Sequence, residues 1–122
     1  MNQKAHRSQL IAAIKEKFPE LRAEINQERG LLLYEVAVLI RFVQAKIDLG
    51  DRESVPVAYQ LLNEFYMNGN LAVSSIIRDA VAEDLVLTQT KSLDRTWAFS
   101  LLPAALKAER KAWFEFMGYK PE

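Results

Sequence analysis

The sequence predicts an all-α fold: a compact bundle of five to seven antiparallel helices, with solenoid-like stacking around a central buried helix at about residues 31–49. Three observations predict it. First, LLLYEVAVLIRFVQAKIDL (31–49) is apolar at fourteen of nineteen positions. Its Leu32, Val36, Leu39, Ile40, Val43 and Ile47 follow the spacing of one helical face. Second, Gly50-Asp51 and Gly69-Asn70 read as short turns between helices, and short links fold consecutive helices back on each other. Third, Pro19, Pro56 and Pro103 all fall where a helix would begin, the one place that tolerates a missing N–H.

Residues 4–18 read as an amphipathic helix, with Leu10, Ile14 and Phe18 on one face, Ile11 beside them and Asn2 as a candidate N-cap. His6, the only histidine, lacks companions for catalysis or metal binding and is expected to be a solvated helix residue. Pro19 to Arg29 forms a weaker second helix through Leu21 and Ile25, with Glu20, Glu24 and Glu28 on its outer side. Gly30 separates it from the central helix. In that helix Leu33, Ala37 and Leu49 widen the apolar face, so only Tyr34 and the charges of Glu35, Arg41, Lys46 and Asp48 are expected at a surface. Four ionised groups make the segment a poor membrane span.

Asp51 or Ser54 caps the next helix, which starts near residues 52–55 and buries Val55, Ala58, Tyr59, Leu62, Phe65 and Tyr66. Gly69 stops it and Asn70 caps a helix from Leu71 to about Val86, striped by Val73, Ile76, Ile77, Ala80, Val81 and Leu85. Residues 87–100 are the least regular stretch, compatible with a short helix near 92–98 capped by Ser92 or with a strand that would have no evident partner. Trp97 and Phe99 there either plug the end of the bundle or anchor a protein interface. The last helix takes Ser100 as cap and Pro103 in its first turn. Ala105, Leu106, Trp113, Phe116 and Met117 lie on its core side, Lys107, Arg110 and Lys111 form a basic face, and Gly118 ends it before a tail.

At 122 residues the chain is expected to be one domain, 1–122, large enough to bury a core without staples. The absence of cysteine removes disulfide and zinc–thiolate chemistry and fits a reducing compartment. The first residues lack the apolar run of a signal peptide, so a cytoplasmic protein is the expectation. Formal net charge is zero, which argues against nucleic acid as a partner. Residues 31–90 carry four basic and eight acidic groups, however, so the middle of the chain is acidic.

No phosphate-binding glycine loop, HExxH pair or Ser/His/Asp set is present, and the inward helix faces are aliphatic and aromatic. The expectation is a protein without catalytic residues, metal or cofactor. Adjacent Glu83 and Asp84 do not converge on one atom of a helix surface, so they are not a catalytic pair.

The runs FPEL (18–21), GLLLYEVAVL (30–39), IDLGD (47–51), YQLLNEFYMNGNLAV (59–73), AVAEDL (80–85) and LLPAALKAERKAW (101–113) resemble a family of small bacterial all-helical proteins of unassigned biochemistry. Two positions depart from its pattern: Ala82 stands where Leu is usual, and Leu102 where Gly is usual. Relatives of this kind look like immunity proteins of contact-dependent-inhibition and polymorphic toxin systems. The resemblance implies a non-enzymatic protein that binds one cognate toxin domain and occludes its active site. On that reading the acidic groups Glu64, Asp79, Glu83 and Asp84, with Trp97, are the candidate partner-binding residues. The alternative is a helical adaptor or homo-oligomer using the Trp97/Phe99 or Trp113–Met117 surface.

Overall fold

The computed structural model describes residues 3–122. Among them the chain forms α1 (Arg7–Lys17), a 3-10 turn (Pro19–Leu21), α2 (Arg22–Gln27), α3 (Leu32–Leu49), α4 (Ser54–Asn68), α5 (Leu71–Asp79), a π-turn (Ala80–Asp84), α6 (Thr96–Leu101) and α7 (Ala104–Met117). The fold is all-α. The inner faces of α1, α3, α4 and α5 supply one continuous core. Leu10, Ile14, Val36, Leu39, Val43, Ile47, Val55, Leu62, Val73 and Ile77 are all buried in it.

Local chemistry sets the helix ends. Gly50 takes φ +75 and closes α3, a conformation that only glycine adopts without strain. Asp51 then caps α4: its Oδ1 accepts the N–H groups of Glu53 and Ser54 at 3.1 and 2.9 Å. Asn70 caps α5 by accepting from Val73 N–H at 3.0 Å. Gly69 is needed for a different reason. Its backbone is extended, but a Cβ there would collide with the Phe65 carbonyl and the Val73 side chain.

Several expectations are corrected. The proposed cap at Asn2 lies outside the described residues. Helix α1 begins at Arg7, and His6 is its N-cap rather than a helix residue: Nδ1 accepts from Ser8 N–H at 3.2 Å, while Gln9 Oε1 accepts from His6 N–H at 2.7 Å. Gly30 (φ +88) separates α2 from α3, as its place in the sequence implies. Leu33 and Leu49, at the two ends of α3, are exposed, and Glu35 is buried instead. Helix α5 stops at Asp79, and the expected continuation to Val86 opens into the π-turn. The helix near 92–98 forms at Thr96–Leu101, because Asp94 rather than Ser92 caps it, accepting the Thr96 N–H and hydroxyl at 3.1 and 2.6 Å. Pro103 occupies the cap position of α7, and Ser100 lies within α6. Phe116 and Met117 are exposed, whereas Arg110, expected on a basic face, is buried.

Three arginine–carboxylate pairs fasten the periphery to this core. Arg7 donates to Glu35 Oε1 at 2.6 Å. Arg95 holds both oxygens of Asp48 and the Thr88 carbonyl, which ties the irregular 86–95 segment to α3. Gln44 reinforces that tie by exchanging two hydrogen bonds with the Val86 backbone, at 2.8 and 3.0 Å. Arg110 holds both oxygens of Glu122 and donates to the carbonyls of Val81 and Leu85. A forked guanidinium matches a carboxylate and still has N–H groups left for carbonyls, which suits it to these joints.

Candidate functional site

The candidate site is a groove between the α5–π-turn wall and α7. Asp79 and Glu83 stand on one wall, four residues apart. Glu109, Trp113 and Phe116 stand on the other, at helical spacing of four and three. Ala82 and Ala112 floor it, and their small side chains leave a cavity of about 300 Å³. Arg110 fixes the wall from behind. Where the π-turn widens the helix, the Val81 carbonyl meets this guanidinium at 2.7 Å and the Leu85 carbonyl at 2.9 Å.

Charge in the groove is unevenly committed. Arg78 donates to Asp79 Oδ1 at 3.0 Å, and Tyr66 donates its hydroxyl to Glu109 Oε1 at 2.7 Å. Glu83 has no ion-pair partner among the described residues. Partial burial raises its carboxyl above the ordinary range, and the neighbouring charges of Asp79 and Asp84 push the same way. The groove therefore presents three carboxylates against one guanidinium that is already engaged. Beside them the Phe116 ring is 81 % exposed and stacks on Trp113 with centroids 6.0 Å apart. A cation carried on an apolar stem would find both of its requirements here, carboxylates for the head and rings for the stem. Among the described residues no three acidic or histidine side chains are grouped as a metal site.

Of the five residues expected to face a partner, Asp79 and Glu83 line the groove, and Asp84 is exposed next to Glu83. Glu64 is exposed on α4 but is not part of the groove. Trp97 does not stand on this surface. It is 9 % exposed, its indole N–H donates to the Asp94 carbonyl at 2.9 Å, and the Arg52 guanidinium covers its face. It is part of the core, and the exposed aromatic ring of the groove is Phe116. Arg78 and Glu109 are not among the expected site residues, and Phe116 is expected only within the alternative Trp113–Met117 surface. The signal available for them was the Glu109, Trp113, Phe116 spacing, which resembles a core stripe unless a buried Arg110 is known to have taken the inward face.

Among the described residues, no helix is long and apolar enough to cross a membrane. The sequence model of one family, described as a domain of unknown function (DUF7674), matches residues 11–117. No curated protein and no solved structure matches the chain. The family description names no toxin, ligand or partner.

Proposed function

Because the chain belongs to the DUF7674 family, which carries no assigned activity, we propose a role from the site itself: a non-enzymatic protein-binding module whose acidic, aromatic groove receives a basic element of a partner protein. The observation that supports the reading is the pairing of an uncommitted Glu83 with the exposed Phe116 ring across the α5–α7 groove. Complementary charge speeds and orients association, while a central aromatic group supplies most of the affinity. In its finer form the partner is a cognate toxin domain, and the module occludes a basic substrate cleft. That form rests on the family resemblance of the sequence runs and on the acidic groove.

The test is growth rescue. The product of the reading frame adjacent to this gene is expressed alone and together with this protein. Toxicity relieved by the wild type, but not by Glu83→Gln combined with Phe116→Ala, is the expected result. Binding without relief leaves the adaptor role and removes the immunity role. An adjacent product that neither harms the cell nor binds removes both for that partner. The exposed Phe116 also favours one rival, self-association through α7. Sedimentation at micromolar concentration separates the two, since a monomer excludes an obligate homo-oligomer.

A further inference from the structure

A second cavity, of about 480 Å³, lies along a different face of α7 and plays no part in the groove. Successive helix residues turn by about 100°, so the face of Ala104, Ala108 and Lys111 is centred roughly 100° from that of Glu109, Ala112 and Phe116, the two meeting at Ala108 and Ala112. Phe99 from α6 and Phe114 from α7 supply aromatic walls. The tail supplies another. Gly118 (φ +74) reverses the chain, Tyr119 N–H donates to the Phe114 carbonyl at 2.8 Å, and the Tyr119 ring meets Phe114 edge-on.

The charged groups of this cavity are few: Lys107, Lys111, Glu115 and Glu122. Lys107 is held in place: its ammonium donates to the Ser100 carbonyl at 3.1 Å and lies 5.2 Å from the Phe99 ring centre. Lys111 has no hydrogen-bond or ion-pair partner among the described residues. Of the two carboxylates that line the cavity, Glu122 is spent on Arg110, which leaves Glu115. A largely apolar concavity with a few convergent polar groups is the usual form of a small-molecule site, and its volume falls within the common range of roughly 300–1,000 Å³.

We propose that this cavity binds a small amphiphilic carboxylate, with its hydrocarbon body against Phe99, Phe114 and Tyr119 and its carboxylate at Lys111 and Lys107. The two ammonium groups set the sign of the head group, and the aromatic walls set the nature of the body. A neutral analogue of the same body loses the ion pair, and a cationic one meets repulsion from both lysines.

Titration of the ¹⁵N-labelled full chain with sodium decanoate below its micellar concentration tests this, with decanol and decyltrimethylammonium in parallel. Saturable shifts of the Phe99, Lys111 and Tyr119 amides by decanoate are expected. Lys111→Gln should weaken binding roughly tenfold, the scale of one lost charge-assisted contact. Glu115→Gln should strengthen it, and Glu83→Gln should leave it unchanged, which keeps this site distinguishable from the α5–α7 groove. Absence of shifts at these amides, or equal binding of the cationic detergent, overturns the proposal. So does Lys111-dependent sedimentation with phosphatidylglycerol vesicles in the absence of decanoate binding, because a lipid surface would then be the ligand.

Discussion

At the scale of the residue, the most consequential side chain is Arg110. Its guanidinium is 1 % exposed, so its charge must be met inside the protein. Glu122 and two carbonyls meet it. Glu122→Gln leaves the cation short of its counter-charge and is expected to cost about 3 kcal/mol in urea denaturation, as breaking a buried pair does. Glu122→Asp should recover only part of that, because the shorter side chain cannot reach both N–H donors. Gly69→Ala is expected to destabilise by about 1–3 kcal/mol through collision with the Phe65 carbonyl and Val73. Neither role was legible in the sequence. An arginine between Lys107 and Lys111 looks like part of a basic face, and only the position of the π-turn shows that it points inward. A glycine in Asn-Gly-Asn looks like a left-handed turn, and only the closeness of α4 and α5 shows that it fills a crowded one. Gly50, by contrast, is legible in the sequence as the turn after the central helix, because a helix stop at glycine follows from local chain geometry alone.

At the scale of the element, the 86–95 segment packs only Leu87 into the core and is otherwise held by polar joints. Its order depends on Gln44 and Asp48 of α3, more than forty residues before the backbone and the Arg95 side chain they hold, which is why periodicity could not describe it. The helices were legible because their apolar spacing is local. The connection was not, because its partners are remote. The Arg95 hydrogen bond holds the Asp48 carboxyl below its ordinary value of 3.8, against the opposing effect of burial. Backbone and hydroxyl donors at Ser54 and Thr96 lower Asp51 and Asp94 in the same way. Folded-state values below the unfolded ones mean that this stabilisation is complete above about pH 4 and is lost as pH falls through the depressed values. Amide protection factors in the 86–95 segment should therefore fall on acidification below pH 4 before those of α3 or α4. Arg95→Met should remove most of this pH dependence. A uniform loss of protection across all helices would show that the joint is not the acid-labile part.

At the scale of the whole molecule, one core joins α1, α3, α4 and α5, and the groove and the cavity lie on separate faces of α7 outside it. Leu39→Ala, at a fully buried position of α3, should cost about 2–5 kcal/mol and shift a single cooperative urea transition without splitting it. Phe116→Ala should change stability by less than about 0.5 kcal/mol, since little of the ring is buried, while removing binding if the groove is the interface. The fold class was legible across the chain; the groove was legible in its Asp79 and Glu83 wall and, through the alternative Trp113–Met117 surface, in its aromatic residues. The remainder requires knowing which face of α7 turns outward. Another feature of the whole chain bears on time rather than on energy. Ala5 and the turn at Gly69 form a parallel bridge, in which Ala5 N–H donates to Asn68 O and Asn70 N–H to Ala5 O, both at 2.8 Å. These two hydrogen bonds close a circuit that runs through α1 to α4. During synthesis the leading strand of the bridge emerges first and stays without its mate until α4 has been made. Its closure entropy is recovered only after the core has already brought the two ends near each other. The bridge is thus a late event in folding and an early one in unfolding. In a refolding experiment, protection of the Asn70 amide should lag behind that of the Leu39 and Leu62 amides.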